Sequence, residues 1–380
     1  MRKFLFTCGG TAGHINPAIA VAGKLKALLP DAEFLFIGAA GMMETELVPR
    51  EGFDIQTIEI SNLSRSLSFQ GLKHNLSTVK KVLTGTAAAK KLIRDFMPDV
   101  AIGTGGYVCY PVLRAAHALG IPTLVHESNA VPGLTTRLLS HSADCVMLGF
   151  EHAKAGYPKK ARLVYTGTPV RCGFAQQGRE EARKKLGIPP DRPLLLSVWG
   201  SLGSGHMNEI FAKLAPMAAQ RGDFALIHSA GKRGYRKLLK AVGGDAGVLK
   251  ARGVDLREYI YDMPTAMAAA DLIACRSGAS TLSELAALGK PALLVPSPNV
   301  TNNHQEKNAR ELERSGAAEV LLEGEFDAEA FYDKVKSLLN DGEKLSAMSA
   351  AMGGCGVADA TDQIAALVLE YVKSTDVEEG

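Results

Sequence analysis

Aromatic residues are scarce in this chain. They make up 6% of 380 residues, with one tryptophan, Trp199. Long apolar runs are missing too. No stretch reaches the roughly 18 apolar residues of a membrane span, although lying on a membrane is not thereby excluded. The six cysteines (Cys8, Cys109, Cys145, Cys172, Cys275 and Cys355) are scattered. None forms a C-x-x-C pair, so the reading is reduced, buried thiols of a cytosolic protein rather than a zinc site or disulfide framework. Met1–Thr7 runs straight into Gly9–Gly10, which leaves no room for a secretory signal. No D-x-D motif stands out, so neither a metal nor another cofactor is expected. Acids are absent from one window. Residues 60–94 hold Arg65, Lys73, Lys80, Lys81, Lys90, Lys91 and Arg94 with no Asp or Glu. The net charge is only +3, yet residues 1–166 carry 18 Lys+Arg against 12 Asp+Glu. Such a patch attracts an anionic surface. Nucleic acid fits poorly, because no stacking-aromatic pattern accompanies the charge.

What is present is alternation. Twelve short apolar runs, from "KFLFT" (3–7) to "AAEVLL" (317–322), are each followed by a helix-like segment. Continuous apolar runs of this kind signal parallel strands covered on both faces. Split six and six, they imply an α/β chain of two doubly wound domains in tandem. The boundary is expected at "YTGTPVR", giving domains of 1–166 and 167–356. A last helix, 357–373, carries Ile364, Leu367, Val368 and Tyr371 at helical spacing and is expected to cross back onto the first domain.

Ligands of open parallel sheets bind beyond the carboxyl ends of the strands. Helix N-termini there favour anions. Every unusual stretch falls at such an end: "GGTAGH" (9–14), "GTGGYVCYP" (103–111), "HESNAVPG" (126–133), "WGSLGS" (199–204), "CRSGASTLSE" (275–284) and "PSPNVTNNHQEKNA" (296–309). Together they describe two rims of a cleft. "GGTAGH" is neither G-x-G-x-x-G nor a P-loop with its lysine, so NAD and ATP readings lose support. In "CRSGASTLSE", Ala279, Ser280 and Thr281 start a helix, Glu284 can accept from two ribose hydroxyls, and Arg276 can face a diphosphate. Asn302, Asn303, His304 and Gln305 suit a many-hydroxyl ligand such as a sugar.

These motifs, in this order, resemble those of the bacterial MurG family, which transfers N-acetylglucosamine from UDP-GlcNAc to lipid I. The family pattern GGTGGH, GGYVSGP, HEQN-x-x-PG, NPVR, GGSQGA, S/C-R-x-G-A-x-T-x-x-E and NHQ-x-x-NA stands here as "GGTAGH", "GGYVCYP", "HESNAVPG", "GTPVR", "WGSLGS", "CRSGASTLSE" and "NHQEKNA", spread over residues 9–309. The resemblance implies the two-domain GT-B fold, with lipid acceptor on the first domain and UDP-sugar on the second. It implies uracil on the backbone of Ile260 with Met263 nearby, and ribose on Glu284. The diphosphate and part of the sugar would lie on Arg171, Ser201, Arg276 and Ala279–Thr281. The N-acetylglucosamine would lie on His304 and Gln305, with Asn129, Thr11 and Gly13 also reaching the donor. Gly9, Gly10, Thr11, Ala12, Gly13, Gly105, Gly106 and Tyr107 would cradle the acceptor diphosphate. Three positions depart from the pattern: Ala12 replaces a glycine, Trp199 a glycine and Leu202 a glutamine. Some members carry glutamine where His304 stands.

Inverting transfer needs a base for the acceptor hydroxyl and stabilisation of the departing UDP. His14, at a helix mouth, is the first candidate base and Glu127 the second. The acceptor is an undecaprenyl lipid, so the resemblance also implies peripheral binding to the cytoplasmic face of the cell membrane. Phe69, Leu72, Leu76, Val79 and Leu83 can form one helical face beside Lys73, Lys80 and Lys81, suited to anionic lipid. Competing readings are a related transferase acting on diacylglycerol, a sugar-nucleotide 2-epimerase and a non-enzymatic sugar-nucleotide binder.

Overall fold

The first strand shows how the sequence builds its sheet. In "KFLFT", Phe4 and Phe6 point to one face and Leu5 to the other, and all three are fully buried. Both faces are covered, so the strand reads as a continuous apolar run. Phe4 stacks on Phe34 at 5.3 Å and Phe6 on Phe36 at 5.2 Å across the neighbouring strand. These residues belong to a computed structural model that describes residues 1–60, 69–171, 174, 178–200, 202–300 and 303–375, and the backbone alone for 69–80, 152 and 373–375.

Two parallel sheets result. The first joins β1 (Lys3–Thr7), β2 (Glu33–Ala39), β3 (Asp54–Ile58), β4 (Val100–Gly103), β5 (Thr123–Glu127), β6 (Cys145–Leu148) and β7 (Leu163–Tyr165) in the order β3-β2-β1-β4-β5-β6-β7. The second joins β8 (Leu194–Val198), β9 (Ala225–Ser229), β10 (Val254–Arg257), β11 (Leu272–Cys275), β12 (Ala292–Leu294) and β13 (Ala318–Val320) in the order β10-β9-β8-β11-β12-β13. Both orders reverse direction beside their first strand, so each sheet has a switch point there. The sequence pattern led to six strands in the first half, whereas the structure has seven. The extra one, β7, is a three-residue edge strand, too short to show a pattern, and Leu163 pairs with Val146.

The chain divides into two units, residues 1–171 with 359–380, and residues 172–358. The division therefore falls after Arg171 rather than after residue 166. The helix Ala360–Thr375 joins the first unit because Ile364, Leu367, Val368 and Val372 pack into the core with Phe4, Ile15 and Leu25. Tyr371 Oη donates to the Asp144 carbonyl at 3.2 Å, and Arg162 Nη1 donates to Tyr371 Oη at 2.9 Å. On the opposite face of the first sheet, the helix Phe69–Phe96 buries Ala89 and Ile93. Leu83 on that helix is 69% exposed and Lys81 half-buried. The side chains of Phe69, Leu72, Lys73, Leu76, Val79 and Lys80 lie outside the described residues. Among the described residues no helix is long and apolar enough to cross a membrane. Cys8, Cys109, Cys145 and Cys275 are buried free thiols and Cys355 is a half-buried one, while Cys172 lies outside the described residues.

Candidate active-site loops

At the switch point of the first sheet, the loops after β1 and β4 press together backbone to backbone. Gly9 N–H donates to the Gly105 carbonyl at 3.2 Å. A Cβ on Gly106 would lie 2.3 Å from the Gly9 carbonyl oxygen, and one on Gly105 would lie 2.5 Å from the His14 ring. Only glycine permits both approaches. His14 Nδ1 lies 3.1 Å from the Gly9 carbonyl oxygen. A carbonyl only accepts, so Nδ1 carries the proton and the Nε2 lone pair is left to accept. Thr104 Oγ1 donates to the His14 carbonyl at 2.6 Å, which ties the helix mouth to β4. Tyr107 approaches Gly10, and burial followed by the charge of Glu44 raises its pKa, so it remains a neutral donor.

Thr11 caps the helix Ala12–Leu28 with extended backbone and no side-chain cap bond, and no acid occupies the first turn. The positive helix end is thus left for an anion. Ala12 is the first residue of that helix and is not among the positive-φ residues. The positive φ of the loop falls on Gly10, at 88°. Glycine is therefore not required at position 12.

Glu127 ends β5 and is 4% exposed. Its Oε1 accepts from Asn129 N–H and from Asn129 Nδ2, both at 2.9 Å. Its Oε2 accepts from Gly133 N–H and Thr136 Oγ1, both at 2.8 Å. Both oxygens are occupied in folding the loop over 129–136, so a substrate proton would have to displace one of these bonds. Asn129 is held by the same carboxylate. Its neighbour His126 donates from Nε2 to the Gly167 carbonyl at 2.9 Å, and burial lowers its pKa. This neutral histidine ties β5 to the segment ending the first unit.

In the second sheet the switch-point loops follow β8 and β11. Gly278 precedes the helix Ala279–Leu288 without a side-chain cap, and no acid lies in its first turn. Ala279, Ser280 and Thr281 therefore present another positive helix end. Glu284 follows one turn in, 8% exposed. Its charge, after burial, pushes the Cys275 thiol up to about 12. Gln305 Oε1 accepts from Ser297 N–H at 2.9 Å, which fixes the amide NH2 as the donating end of the side chain. Ser277 Oγ donates to the Gln305 carbonyl at 2.7 Å, and Asn308 Nδ2 to the Ser277 carbonyl at 3.2 Å. These bonds brace the helix His304–Arg314 against the β11 loop. Its cap, Asn303, has φ of 50°, a left-handed conformation that asparagine tolerates. Ile260 is buried, and Met263 opens the helix Met263–Ala269, capped by Asp262. Arg171 is half-buried, and Ser201 and Asn302 lie outside the described residues.

Arg276, expected to face a diphosphate, is held by several protein partners. It pairs with Glu323 at 2.7 Å and donates to the carbonyls of Val295 at 3.0 Å and Pro296 at 3.1 Å. Its Nη2 donates to Ser204 Oγ at 2.8 Å, and its guanidinium lies 5.6 Å from the Trp199 ring. Ser204 in turn caps the helix Gly205–Arg221. Trp199 is 3% exposed, donates to Ser197 Oγ at 2.7 Å, and packs near Phe211 and Phe331. The bulk that replaces the family's glycine is thus a floor beneath Arg276. Leu202, by contrast, is 52% exposed. Among the described residues no cluster of three or more His, Cys, Asp or Glu side chains is placed to hold a metal.

Two Rossmann-like units, each with an uncapped helix N-terminus at the switch point of its parallel sheet, have the architecture of a GT-B glycosyltransferase. Residues 4–148 match the glycosyltransferase family 28 N-terminal domain, and residues 195–364 match the family 28 C-terminal domain. The chain is 44% identical to the UDP-N-acetylglucosamine–N-acetylmuramyl-(pentapeptide) pyrophosphoryl-undecaprenol N-acetylglucosamine transferase of Acetivibrio thermocellus, over 98% of this chain and 99% of that one. It is 44% identical to the enzyme of the same name from Caldanaerobacter subterraneus, over 96% and 99%. The crystal structure of Acinetobacter baumannii MurG superposes with a TM-score of 0.72 at 27% identity, covering 97% of this chain and all of that one. The chain belongs to glycosyltransferase family 28, in its MurG branch. A UDP-GlcNAc 2-epimerase from Neisseria meningitidis has a TM-score of 0.66 at 16% identity over 97% of this chain and 100% of that one, a likeness of fold alone.

Proposed function

We propose that this enzyme transfers N-acetylglucosamine from UDP-GlcNAc, with inversion, to the C4 hydroxyl of the N-acetylmuramyl sugar of lipid I, forming lipid II for peptidoglycan. The observation that carries the reading is the presence of the motif "GGTAGH" at the switch point of the first sheet and of "CRSGASTLSE" at that of the second, with "NHQEKNA" after the next strand, β12, in a chain 44% identical to named transferases over nearly its full length.

The acceptor diphosphate lies on the loops 9–13 and 105–107, and the donor diphosphate on the helix start Ala279–Thr281. Glu284 takes the ribose hydroxyls, Ile260 the uracil edge through its backbone, and His304 and Gln305 the sugar. His14 Nε2 removes the proton from the attacking hydroxyl. The oriented tautomer favours it over Glu127, whose oxygens already hold a loop. Fixed helix dipoles stabilise the leaving UDP, and no metal takes part. The test is direct: incubate the enzyme with UDP-GlcNAc and a lipid I analogue, with a diacylglycerol acceptor in parallel. Product from lipid I alone is expected, and is expected to persist in a chelator. Transfer to diacylglycerol alone would sink the reading.

The acceptor sits in a membrane, so the enzyme works at the cytoplasmic face, with residues 69–83 and their lysines as the contact. The exposure of Leu83 on that helix supports this. Binding to anionic vesicles should weaken with salt and weaken further on charge reversal at Lys80 and Lys81. Salt-independent binding would remove the idea.

A further inference from the structure

Glu44 is fully buried at the start of the helix Glu44–Arg50. Its Oε2 accepts from Gly10 N–H at 3.1 Å and its Oε1 from Ala39 N–H at 2.9 Å. Two glycines make room for it. A Cβ on Gly9 would lie 2.6 Å from Oε1, and one on Gly38 would lie 2.6 Å from Cγ. A carboxylate this deep is costly unless hydrogen bonds such as these offset its desolvation.

The consequence is visible one peptide away. Gly10 N–H and the Gly9 carbonyl belong to the same peptide group. The N–H side of that group donates to Glu44, and the carbonyl side accepts from His14 Nδ1 at 3.1 Å. The result is a continuous chain from carboxylate through peptide to imidazole. A carboxylate on the N–H fixes the peptide plane and polarises its carbonyl, so the bond from Nδ1–H is strengthened. The arrangement parallels a carboxylate that orients a catalytic histidine directly, with a peptide inserted between them.

We propose that Glu44 is a positioning residue for His14, holding the Gly9–Gly10 peptide so that the imidazole keeps its proton on Nδ1 and presents Nε2 to the acceptor hydroxyl. The proposal rests on His14 being the base. Glu44 touches neither substrate, so its removal acts on turnover and not on donor affinity.

The test uses the full-length enzyme with 15N-labelled histidine, the His14 ring signals being assigned by their loss in His14→Gln. Wild type should show the Nδ1–H tautomer. In Glu44→Leu the ring signals should move towards a tautomer mixture. Turnover with saturating lipid I analogue should fall ten- to a hundred-fold, and UDP affinity should stay within two-fold. Glu44→Gln, which keeps one accepting oxygen and the volume, guards against misfolding. It should show a smaller change of the same kind, three- to ten-fold. An unchanged His14 ring spectrum in folded Glu44→Gln and Glu44→Leu would overturn the proposal, as would turnover within two-fold of wild type in both. The ring spectrum decides the role of Glu44 whichever acceptor the enzyme proves to use.

Discussion

Glu127 separates structural from chemical necessity, and its replacement by alanine can be worked through from the geometry. The carboxylate takes four hydrogen bonds, two of them from the backbone N–H groups of Asn129 and Gly133. The Thr136 hydroxyl and the Asn129 amide can turn to other partners, but the two backbone donors cannot. Each orphaned donor costs about 1–3 kcal/mol, and water entering the gap recovers part of it. A loss of about 3–4 kcal/mol is therefore expected for Glu127→Ala. In a unit of this size that lowers Tm by roughly 6–15 °C. Glu127→Gln keeps one oxygen for the Asn129 pair, and the Thr136 hydroxyl can reverse to accept from the new NH2. Only the Gly133 N–H then loses its acceptor, at about 1–3 kcal/mol. Thermal unfolding followed by circular dichroism, beside single-turnover rates at a temperature where each variant is folded, reads both quantities. Turnover should fall only as far as loop order falls, so Glu127→Gln should retain a substantial rate. A Glu127→Gln enzyme with unchanged Tm and turnover lowered a thousand-fold would refute the structural assignment and make Glu127 the base.

His14→Ala should lower turnover by roughly 10²–10⁴-fold, the usual contribution of a positioned general base, while UDP affinity measured by calorimetry stays unchanged. Near-normal turnover would exclude His14 as the base. His228 is buried on β9 of the second unit, in register with Ser197 of β8, bonded to Ser197 Oγ at 2.9 Å and Asn208 Oδ1 at 3.1 Å, and burial lowers its pKa to about 3. The unfolded chain binds this proton below about pH 6.5 and the folded one does not, so stability is full above that pH and is lost as pH falls towards 3. The group should cost roughly 2 kcal/mol between pH 7 and pH 5. Urea midpoints of wild type and His228→Gln at both pH values check this, and equal acid sensitivity in the two proteins would contradict it. Ending the chain at residue 358 removes Ile364, Leu367, Val368 and Val372 from the first unit's core. At roughly 1.5–3 kcal/mol per buried side chain, the loss of about 6–12 kcal/mol is comparable to the whole stability of a folded unit. The shortened chain should be insoluble or susceptible to protease in its first unit, and a cooperative, unshifted unfolding transition would count against this.

Apolar period and glycine placement sufficed to locate twelve of the strands and the loops at their carboxyl ends. The reason is local. A strand covered on both faces must be apolar at every position, and a turn into a helix must begin where side chains can be spared. Both leave marks within a few residues, as in "KFLFT" followed by "GGTAGH". The positions of His14, Glu284 and Gln305 at helix starts were legible for the same cause.

Tertiary structure alone decided how the polar groups are shared out. Glu44 lies 34 residues from the glycine whose N–H it holds, and nothing in "GMMETE" marks it. Arg276 reads as a cation for a phosphate until Glu323, Ser204 and Trp199 are seen around it. Ala12 reads as a departure until the helix is found to begin there, with the left-handed turn one glycine earlier. Sequence pattern reports burial and backbone freedom, which are properties of a residue and its neighbours along the chain. Which donor meets which acceptor depends on loops from different strands arriving at one switch point, and only the folded chain brings them there.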